Sequence, residues 1–415
     1  MKQILAEILT IGDEILYGQI TDTNAQWISA ELDQLGVRVV RKTTVGDQRE
    51  AILTAFAEAE KRADMVIITG GLGPTNDDLT MPMLAEYFNS EIVLNESVLN
   101  HVKNFFERRG RQFTELNKRQ ALVPKVAQVL HNELGTAPGT WYERNGKVFV
   151  SLPGVPHEMK NLMKQLVLPK LSRHFQTPVI YHKLIKTVGI GESFLADIIK
   201  DWEANLPEHI SLAYLPSVGQ VKLRLTAVGE NKQQLVEEVG QQVERLLPLA
   251  GEFIYGYDET SLEEAVGQLL KTKNKTIALA ESCSGGYAQH KLTTVAGSSN
   301  YFQGGVVPYH NQFKMQILGV RQETLEAYGA VSEACVKEMA EGVRKLFNAD
   351  IGAASSGIAG PGGGTDEKPI GTVWIAFADG EKTITKKLQL TQNRLLNIEL
   401  TEIAILNLVR KSLNQ

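Results

Sequence analysis

Residues 276–286, T-I-A-L-A-E-S-C-S-G-G, decide the expected fold of the C-terminal half of the chain. The first five residues are apolar or β-branched, which is typical of a buried strand. Four residues, E-S-C-S, and two glycines then lead into a helical pattern. A strand that ends in such a turn brings backbone N–H groups and the Ser282 hydroxyl to one point. The stretch therefore predicts either an anion hole with a nucleophile or an ordinary helix cap.

Length and composition indicate a multi-domain globular protein. The chain has 415 residues, which exceeds one ordinary core and predicts two or three domains. Hydrophobic residues make up 43% and charged residues 22%, as in most globular proteins. The net charge of −5 argues against nonspecific binding to nucleic acid or to an acidic membrane surface. No apolar run approaches the roughly 18 residues of a membrane helix, so we expect no membrane partner.

The cysteines and the N-terminus indicate the compartment. Cys283 and Cys335 are the two cysteines, too few for a disulfide framework and without metal-site spacing. Residues 1–10 include Glu7 and have no small-residue cleavage site, which argues against a signal peptide. We therefore expect a reducing, cytoplasmic location.

Residues 1–168 alternate between strand and helix patterns. Apolar runs at 4–11, 37–40 and 64–69 predict strands, and helical spacing appears at 24–35 and 49–61. The third run is apolar enough for a strand buried on both faces. This alternation predicts a doubly wound, mostly parallel sheet, and hence an α/β domain.

Polar loops follow several of these predicted strands. Residues 70–78 read G-G-L-G-P-T-N-D-D, and further loops lie at 12–14, 135–139 and 152–159. Ligands of open parallel sheets bind at the carboxyl ends of the strands, where glycines let backbone amides approach a phosphate. Carboxylates there could hold a divalent cation that bridges phosphate oxygens. The alternative is a glycine-rich loop in which an aspartate caps the next helix.

The motifs 12–16 (GDEIL), 69–80 (TGGLGPTNDDLT) and 152–159 (LPGVPHEM) closely resemble the N-terminal domain of the CinA family, competence/damage-inducible protein A. That domain is similar to molybdopterin-binding domains. The resemblance implies a pyrophosphatase that uses a divalent metal, Mg²⁺ or similar, to cleave ADP-ribose to AMP and ribose 5-phosphate. Molybdopterin binding is the alternative that fold similarity suggests. Which acidic residues ligate the metal stays open; the resemblance implies as metal candidates Asp77, Asp78, Glu14 and Glu158, and as substrate-binding residues Gly70, Gly71, Gly73 and Thr75.

Residues 169–256 predict a small α+β domain. Strand patterns at 180–188, 210–215 and 220–228 are interspersed with helix patterns at 193–202 and 232–247. The segment Gly189-Ile190-Gly191-Glu192 resembles the glycine loop of a KH nucleic-acid module, which also occurs in the CinA family. That loop normally carries basic residues, and Glu192 is acidic. A spacer or dimerisation role is therefore favoured over nucleic-acid binding.

Residues 257–415 predict a third, α/β domain with three strand-end loops. One loop carries Ser282, one carries Tyr309 and Lys314, and one carries Ser356 with a glycine cluster at 357–364. An amphipathic helix is predicted at 332–347, a closing helix at 393–413, and a hairpin around Asp379-Gly380.

The chemistry of these loops depends on a base for the serine, because a serine hydroxyl is a poor nucleophile at its own pKa. No Ser-His-Asp order is evident, and His290 and His310 are expected to point away. Lys314 can act as the base if burial lowers its pKa; its alternative is a solvated surface lysine. Tyr309 could relay a proton or simply pack. Ser356 could orient Lys314 or Ser282, and the rival nucleophile Cys283 is expected to face the core.

This domain closely resembles the nicotinamide-nucleotide amidases of the same family, through 280–286 (AESCSGG), 297–299 (GSS), 309–314 (YHNQFK), 329–332 (GAVS) and 356–363 (SGIAGPGG). The resemblance implies hydrolysis of nicotinamide mononucleotide to nicotinate mononucleotide and ammonia in NAD recycling, with no metal. Ser284 and Ser356 are often Thr in relatives, and His310 is often Ser. The implied catalytic residues are Ser282, Lys314, Tyr309 and Ser356, and the implied substrate-binding residues are Glu281, Ser284, Gly285, Gly286, Ser298, Asn311, Gly357, Gly360 and Gly362.

Three alternatives accompany this interpretation. Either site could be the active one alone, or the chain could be a non-enzymatic, competence-associated nucleic-acid or scaffold protein. The partners that the resemblance implies are the two small nucleotides and a second copy of the chain in a homodimer.

Overall fold

The computed structural model describes residues 3–414, so the end residues Met1, Lys2 and Gln415 of the predicted first and last domains lie outside it. The chain divides into two compact units. The first ends at Tyr181 and also includes Val228–Leu235, while the second comprises His182–Ala227 and the chain from Val236 onward. No helix within 3–414 combines the length and apolar composition needed to cross a membrane.

The first unit contains a six-stranded sheet and a separate two-stranded one. The six strands, in the order β2-β1-β3-β8-β7-β6, are parallel from β2 to β8 and antiparallel from β8 to β6. The strands are β1 (Ile4–Ile11), β2 (Val37–Val45), β3 (Met65–Thr69), β4 (Ile92–Leu94), β5 (Leu122–Pro124), β6 (Gln128–Leu130), β7 (Gly139–Arg144) and β8 (Lys147–Leu152). The helices are α1 (Asp13–Leu16), α2 (Thr23–Gln34), α3 (Arg49–Arg62), α4 (Thr80–Tyr87), α5 (Glu96–Glu107), α6 (Glu115–Lys118), α7 (Pro156–Leu162) and α8 (Leu168–His174).

Helices cover both faces of the large sheet, as the apolar character of its central strands predicts. Alternate residues of β3 belong to different cores: Ile67 packs with Leu32 of α2, and Ile68 packs with Phe56 of α3. Successive side chains of a strand point to opposite faces, so both faces of β3 are buried. The doubly wound, mostly parallel sheet is confirmed. Its core also includes Leu171 of α8, so the packing of this domain continues past residue 168.

The middle of the chain forms a four-stranded sheet in the order β10-β11-β9-β12, with antiparallel pairing of β10 with β11 and of β9 with β12. This confirms the small α+β domain. Its elements are β9 (Val179–Val188), α9 (Glu192–Ala204), β10 (Ile210–Ser217), β11 (Gln220–Gly229), α10 (Lys232–Ala250) and β12 (Ile254–Tyr257).

The C-terminal domain is built on a five-stranded sheet in the order β14-β13-β15-β16-β17, parallel from β14 to β15 and antiparallel beyond. The predicted hairpin is the β16–β17 pair. The strands are β13 (Ile277–Glu281), β14 (Phe302–Val306), β15 (Ile351–Gly357), β16 (Thr372–Ala378) and β17 (Thr383–Gln389). The helices are α11 (Leu262–Thr272), α12 (Tyr287–Thr294), α13 (Asn311–Leu318), α14 (Gln322–Tyr328), α15 (Glu333–Leu346) and α16 (Arg394–Asn414).

This sheet is also buried on both faces. Leu279 of β13 packs with Leu406 of α16 on one side, and its neighbour Ala280 packs with Val336 of α15 on the other. The small residues on the α15 side let that helix approach the sheet closely. A Cβ on Gly352 of β15 would lie 2.0 Å from the carbonyl oxygen of Ala340. Burial on both faces leaves the strand ends as the place where polar side chains can meet a ligand.

The close approach of α15 predicts an effect of Gly352→Ala. The added methyl group collides with backbone, so we expect the free energy of unfolding to fall by about 1–3 kcal/mol. Gly240→Ala is the matched control, because Gly240 lies in α10 and a Cβ there meets nothing within 4 Å. That substitution should raise stability by about 0.5–1 kcal/mol. Denaturant unfolding measures both, and equal shifts in one direction would contradict this packing.

A buried carboxyl group on α16 predicts a pH dependence of stability. Glu402 is 3% exposed, and burial followed by repulsion from Glu263, Glu281 and Glu399 outweighs attraction by Lys291, raising its pKa to about 8. The folded state thus keeps a proton that the unfolded chain releases near its ordinary pKa of 4.5. Stability contributed by this group is complete below pH 4.5 and is lost as the pH rises towards 8.

We therefore expect Glu402→Gln to match the parent protein near pH 5 and to be more stable by about 1–3 kcal/mol near pH 8. Thermal unfolding at both pH values provides the measurement. The control is Glu367→Gln at an exposed position, which should follow the parent at both values. A parent protein equally stable at pH 5 and pH 8 would contradict the prediction.

Candidate active site

The serine turn that opens the C-terminal site lies between β13 and α12. Gly285 and Gly286 have φ values of 65° and 93°, in the left-handed region that favours glycine, so they reverse the chain directly into the helix. The backbone N–H of Ser282 donates to the carbonyl of Ser355 at 3.0 Å. This bond fixes the first residue of the turn to the neighbouring strand β15.

Glu281 and Ser284 form a buried network behind that turn. The carboxylate of Glu281 accepts from the Ser284 hydroxyl at 2.7 Å and from the N–H groups of Ala288 and Gln289 at 3.1 and 2.8 Å. Ser284 also lies 2.8 Å from the hydroxyl of Ser355. A carboxylate that satisfies N–H groups in the first turn of α12 holds the turn in place.

Glu281 and Ser284 were both predicted to bind substrate. They do not line the cavity that contains Ser282, because their side chains point into the protein. Gly285 and Gly286 at the start of α12 also lie outside it. So does Ser298, which begins a short 3₁₀ turn, Ser298–Asn300.

A cavity of about 280 Å³ brings the four predicted catalytic residues together. Ser282, Tyr309, Lys314 and Ser356 all line it, although Ser282 follows β13, Tyr309 and Lys314 follow β14, and Ser356 lies near the end of β15. At its rim, Tyr309 is 59% exposed, which leaves the cavity open to solvent. Four predicted substrate-binding residues complete part of the wall: Asn311, Gly357, Gly360 and Gly362.

Lys314 is buried, with 2% of its surface exposed. Burial lowers the pKa of its amine, because the charged form loses its hydration. The Nζ atom donates to the carbonyl oxygens of Pro308 and Tyr309 at 3.0 and 3.3 Å. Neither partner carries a full negative charge. The neutral amine that a general base requires is therefore more accessible than in a solvated lysine.

Arg394, the first residue of α16, is a cavity residue that the sequence analysis missed. Its guanidinium donates to the Tyr309 hydroxyl at 2.9 Å and to the carbonyl of Gly360 at 2.7 Å. It thus connects the tyrosine to the glycine loop. One signal was available: a cation at the start of a helix opposes the helix dipole and calls for an explanation.

Ser356 and the cysteines have different environments. The Ser356 hydroxyl donates to the carbonyl of Ala330 at 2.6 Å, which leaves its oxygen free to accept within the cavity. Burial raises the pKa of Cys283 to about 12 and that of Cys335 to about 11. At neutral pH both remain thiols and are poor nucleophiles. Cys283 belongs to the core on the α16 side, although one edge of it reaches the cavity wall.

His290 and His310, the two histidines considered as possible bases, lie outside the cavity. His310 precedes α13, and its Nδ1 accepts from the N–H of Gln312 at 3.3 Å. His290 stacks on Tyr287 along α12. Neither lines the cavity around Ser282.

The first domain has its own cleft of about 460 Å³ at the carboxyl ends of its parallel strands. We refer to it as the acidic cleft. The four predicted metal candidates line it: Glu14, Asp77, Asp78 and Glu158. The predicted phosphate-binding residues Gly70, Gly71 and Gly73 also line it, while Thr75 lies on an adjoining cavity.

Two of these carboxylates are already engaged. Asp78 accepts from the N–H groups of Gly73 and Thr75 at 2.7 and 2.9 Å, which closes the glycine loop on itself. Glu158 accepts from the amide of Asn132 at 2.6 Å. A hydrogen bond with the Thr75 side chain lowers the pKa of Asp77, so within residues 3–414 Glu14 is the candidate whose carboxylate has the fewest hydrogen-bond partners.

Asp47 is a further cleft residue that the sequence analysis missed. It follows β2, and one of its oxygens accepts from the N–H of Asp13 at 3.0 Å. Burial raises its pKa, and repulsion from Asp13, Glu14 and Asp77 adds to the shift. The signal was present in the sequence: Val45-Gly46-Asp47 repeats the Ile11-Gly12-Asp13 pattern at the end of the next strand.

The donor set of the acidic cleft fits a hard cation such as Mg²⁺. Glu14, Asp47 and Asp77 present oxygen atoms, and a cation would relieve their mutual repulsion. Across residues 3–414, no three His, Cys, Asp or Glu side chains are close enough to form a complete ligand cage. Mg²⁺ is usually bound by one or two carboxylates and by substrate phosphates, which suits such an incomplete set.

The matches to known protein families fall on three successive segments of the chain. Residues 7–173 match the family model "Probable molybdopterin binding domain", residues 182–256 match "Damage-inducible protein CinA KH domain", and residues 259–413 match "CinA C-terminal domain". A crystal structure of the protein CinA with unknown function from Thermoplasma acidophilum is 34% identical, covering 41% of this chain and 98% of that one with a TM-score of 0.38.

Relatives of full length are also similar. A CinA-like protein of Flavobacterium psychrophilum is 45% identical over 94% of both chains. Another, of Cytophaga hutchinsonii, is 57% identical over 412 residues, which are 99% of both chains. With this identity over nearly the whole length, the resemblance seen in the sequence is confirmed, and the chain belongs to the CinA family.

Proposed function

We propose that the C-terminal domain is an amidase that hydrolyses the carboxamide of nicotinamide mononucleotide to nicotinate mononucleotide and ammonia. The observation that carries this proposal is the meeting of Ser282 with the buried amine of Lys314 on one solvent-open cavity. A hydroxyl that lines the same cavity as an amine with a lowered pKa provides a nucleophile and its base. The family to which the chain belongs is consistent with an enzyme.

The reaction begins when the neutral amine of Lys314 accepts the proton of Ser282 as its oxygen attacks the amide carbon. The resulting oxyanion is stabilised by backbone N–H groups of the serine turn and of the glycine loop that contains Gly360 and Gly362. Lys314 or Tyr309 then protonates the departing nitrogen, the C–N bond breaks, and ammonia leaves. Water attacks the acyl-enzyme in the same way, which releases the carboxylate and restores the serine.

Arg394 is the positively charged residue of the proposed mechanism. Because Lys314 must be neutral to act as a base, it cannot also neutralise the phosphate of the substrate. The guanidinium carries a positive charge and already donates to the Tyr309 hydroxyl and the carbonyl of Gly360. We infer that Arg394 attracts the phosphate group and positions Tyr309 for proton transfer.

A second activity is favoured by a separate observation, the acidic cleft of the first domain. We propose that this domain uses a divalent metal to hydrolyse ADP-ribose to AMP and ribose 5-phosphate. One or two carboxylates from among Glu14, Asp47 and Asp77, together with phosphate oxygens of the substrate, would hold the metal, which would neutralise the diphosphate charge and activate water there. The backbone amides of Gly71 and Leu72 would bind phosphate oxygens, because those of Gly70 and Gly73 already donate to Leu152 and Asp78. Both activities would serve NAD recycling in a homodimeric enzyme.

The amidase proposal predicts the behaviour of two adjacent variants. Ser282→Ala should lower ammonia release from nicotinamide mononucleotide by at least about 10³-fold, because the nucleophile is lost. Cys283→Ala should retain most activity, because a thiol with a pKa of about 12 is protonated at neutral pH. Ammonia and nicotinate mononucleotide are quantified with and without a chelator, which should have no effect. Full activity in Ser282→Ala would falsify the assignment.

The pyrophosphatase proposal predicts a different pattern. Asp77→Asn and Asp47→Asn should each lower AMP release from ADP-ribose by about 10–100-fold, because each removes a charge that holds the metal. Chelator should abolish the reaction, and added Mg²⁺ should restore it. Glu107→Gln, at an exposed position outside the cleft, is the control and should leave the rate unchanged. Chelator-resistant AMP release would remove the metal from the mechanism.

A further inference from the structure

One buried side chain of α16 contacts the glycine loop of the C-terminal cavity, residues 357–364, which we refer to as the C-terminal glycine loop. Asn397 lies three residues after Arg394 and is 1% exposed. It does not line the cavity, and the proposed mechanism gives it no role. A polar side chain buried this deeply is expected to be held by hydrogen bonds, and its partners show what it fixes in place.

Both atoms of the Asn397 amide group are fully used. The nitrogen donates to the carbonyl oxygens of Ala359 and Thr391 at 3.0 and 2.9 Å. The oxygen accepts from the N–H and from the hydroxyl of Thr391, both at 2.9 Å. Asn397 therefore joins the C-terminal glycine loop to the segment that leads into α16.

The start of α16 thus holds two successive carbonyl groups of the C-terminal glycine loop. Asn397 binds the carbonyl of Ala359, and Arg394 binds that of Gly360 at 2.7 Å. Residues three apart lie on the same side of a helix, so one side of α16 orients two consecutive peptide groups.

This arrangement decides where the N–H of Gly360 points. The peptide between Ala359 and Gly360 is trans, and the C=O and N–H of a trans peptide point in opposite directions. Since the C=O faces Asn397, the N–H faces away from it. Gly360 lines the cavity and Asn397 lies outside the wall, so the N–H is directed to the cavity side of the loop.

The N–H of Gly360 has no acceptor among residues 3–414, although Gly360 is buried. Nearly all buried backbone N–H groups of native proteins are paired, so an unpaired one at a cavity marks a position for an acceptor atom of a ligand. In the proposed amidase reaction, such an atom is the carboxamide oxygen, which becomes negatively charged when Ser282 attacks the carbon.

We propose that Asn397 is a positioning residue of the amidase, which directs the N–H of Gly360 at the carboxamide oxygen of the substrate. This inference rests on the proposed amidase function. Asn397 itself touches no substrate atom and acts through the peptide group that it holds. Because the oxygen carries its charge only after the attack, the hydrogen bond from Gly360 is strongest in the transition state, and its loss should affect kcat more than KM.

Two variants remove the hydrogen bond to Ala359 by different routes. Asn397→Asp keeps the size of the side chain but replaces its NH₂ group with an acceptor, and Asn397→Ala removes the side chain without adding a charge. Each should lower kcat for ammonia release from nicotinamide mononucleotide by about 10–100-fold. KM and the calorimetric Kd of nicotinate mononucleotide should stay within about 2-fold of the parent values, because neither contains the charged oxygen of the transition state.

The matched control is Thr391→Val, which removes a hydroxyl bonded to the same side chain but keeps the bond from Asn397 to Ala359. Its kcat should equal that of the parent. All assays are run at a temperature at which thermal unfolding shows each protein to be folded, so a loss of kcat reports on the site.

The outcomes separate this inference from the activity on which it rests. A parent protein that releases no ammonia would overturn the amidase proposal and this inference together. An active parent would leave the amidase in place, and this inference alone would be overturned in two cases. In the first, the Asn397 variants keep the kcat of Thr391→Val; in the second, they weaken the binding of nicotinate mononucleotide as much as they lower kcat.

Discussion

The desolvation of one amine is the constraint on which the C-terminal site depends. Lys314 lies almost completely inside the protein, and the two acceptors of its Nζ are backbone carbonyls. Carbonyl dipoles compensate part of the lost hydration but stabilise the ammonium less than a carboxylate would. The position of the amine is therefore fixed by hydrogen bonds while its charge is disfavoured, a combination that suits proton transfer from Ser282.

Holding that amine requires a rigid frame, which the two-sided burial of the sheet provides. Cores on both faces of β13 fix the strand, and the Glu281 network fixes the turn that follows it. The first domain uses the same arrangement, since β3 is buried on both faces and ends in the glycine loop. In both domains the apolar interior decides where the strands end, and the polar loops beyond those ends form the cavities.

Much of both sites could be predicted from the sequence, because polar residues at the ends of predicted strands are expected at the ligand-binding edge of a sheet. Ser282 follows the buried strand β13, Tyr309 and Lys314 follow the partly exposed β14, and Ser356 lies near the end of β15. All four line one cavity. Local spacing could not show which polar side chains of a turn face inward, so Glu281 and Ser284 were predicted at the substrate and lie in the support behind it. The sequence analysis missed Arg394 because this residue begins a helix whose leucines are accounted for by packing in the core. Asp47 was missed because residues 41–44 of its strand are polar, so the apolar run that predicted the strand ended at residue 40, and because the motif that follows is short.

The walls of the two cavities carry side chains of opposite charge, so the reaction proposed for one cavity does not suit the other. In the proposed reactions, a diphosphate entering the acidic cleft meets Glu14, Asp47 and Asp77, and a cation between them would offset the repulsion. A phosphate entering the C-terminal cavity meets the guanidinium of Arg394, an oppositely charged partner. The wall of the C-terminal cavity includes the Lys314 amine but no carboxylate, so it lacks the ligands that a hard cation prefers. The different handling of negative charge thus follows from which residues end each sheet, before any particular nucleotide is considered.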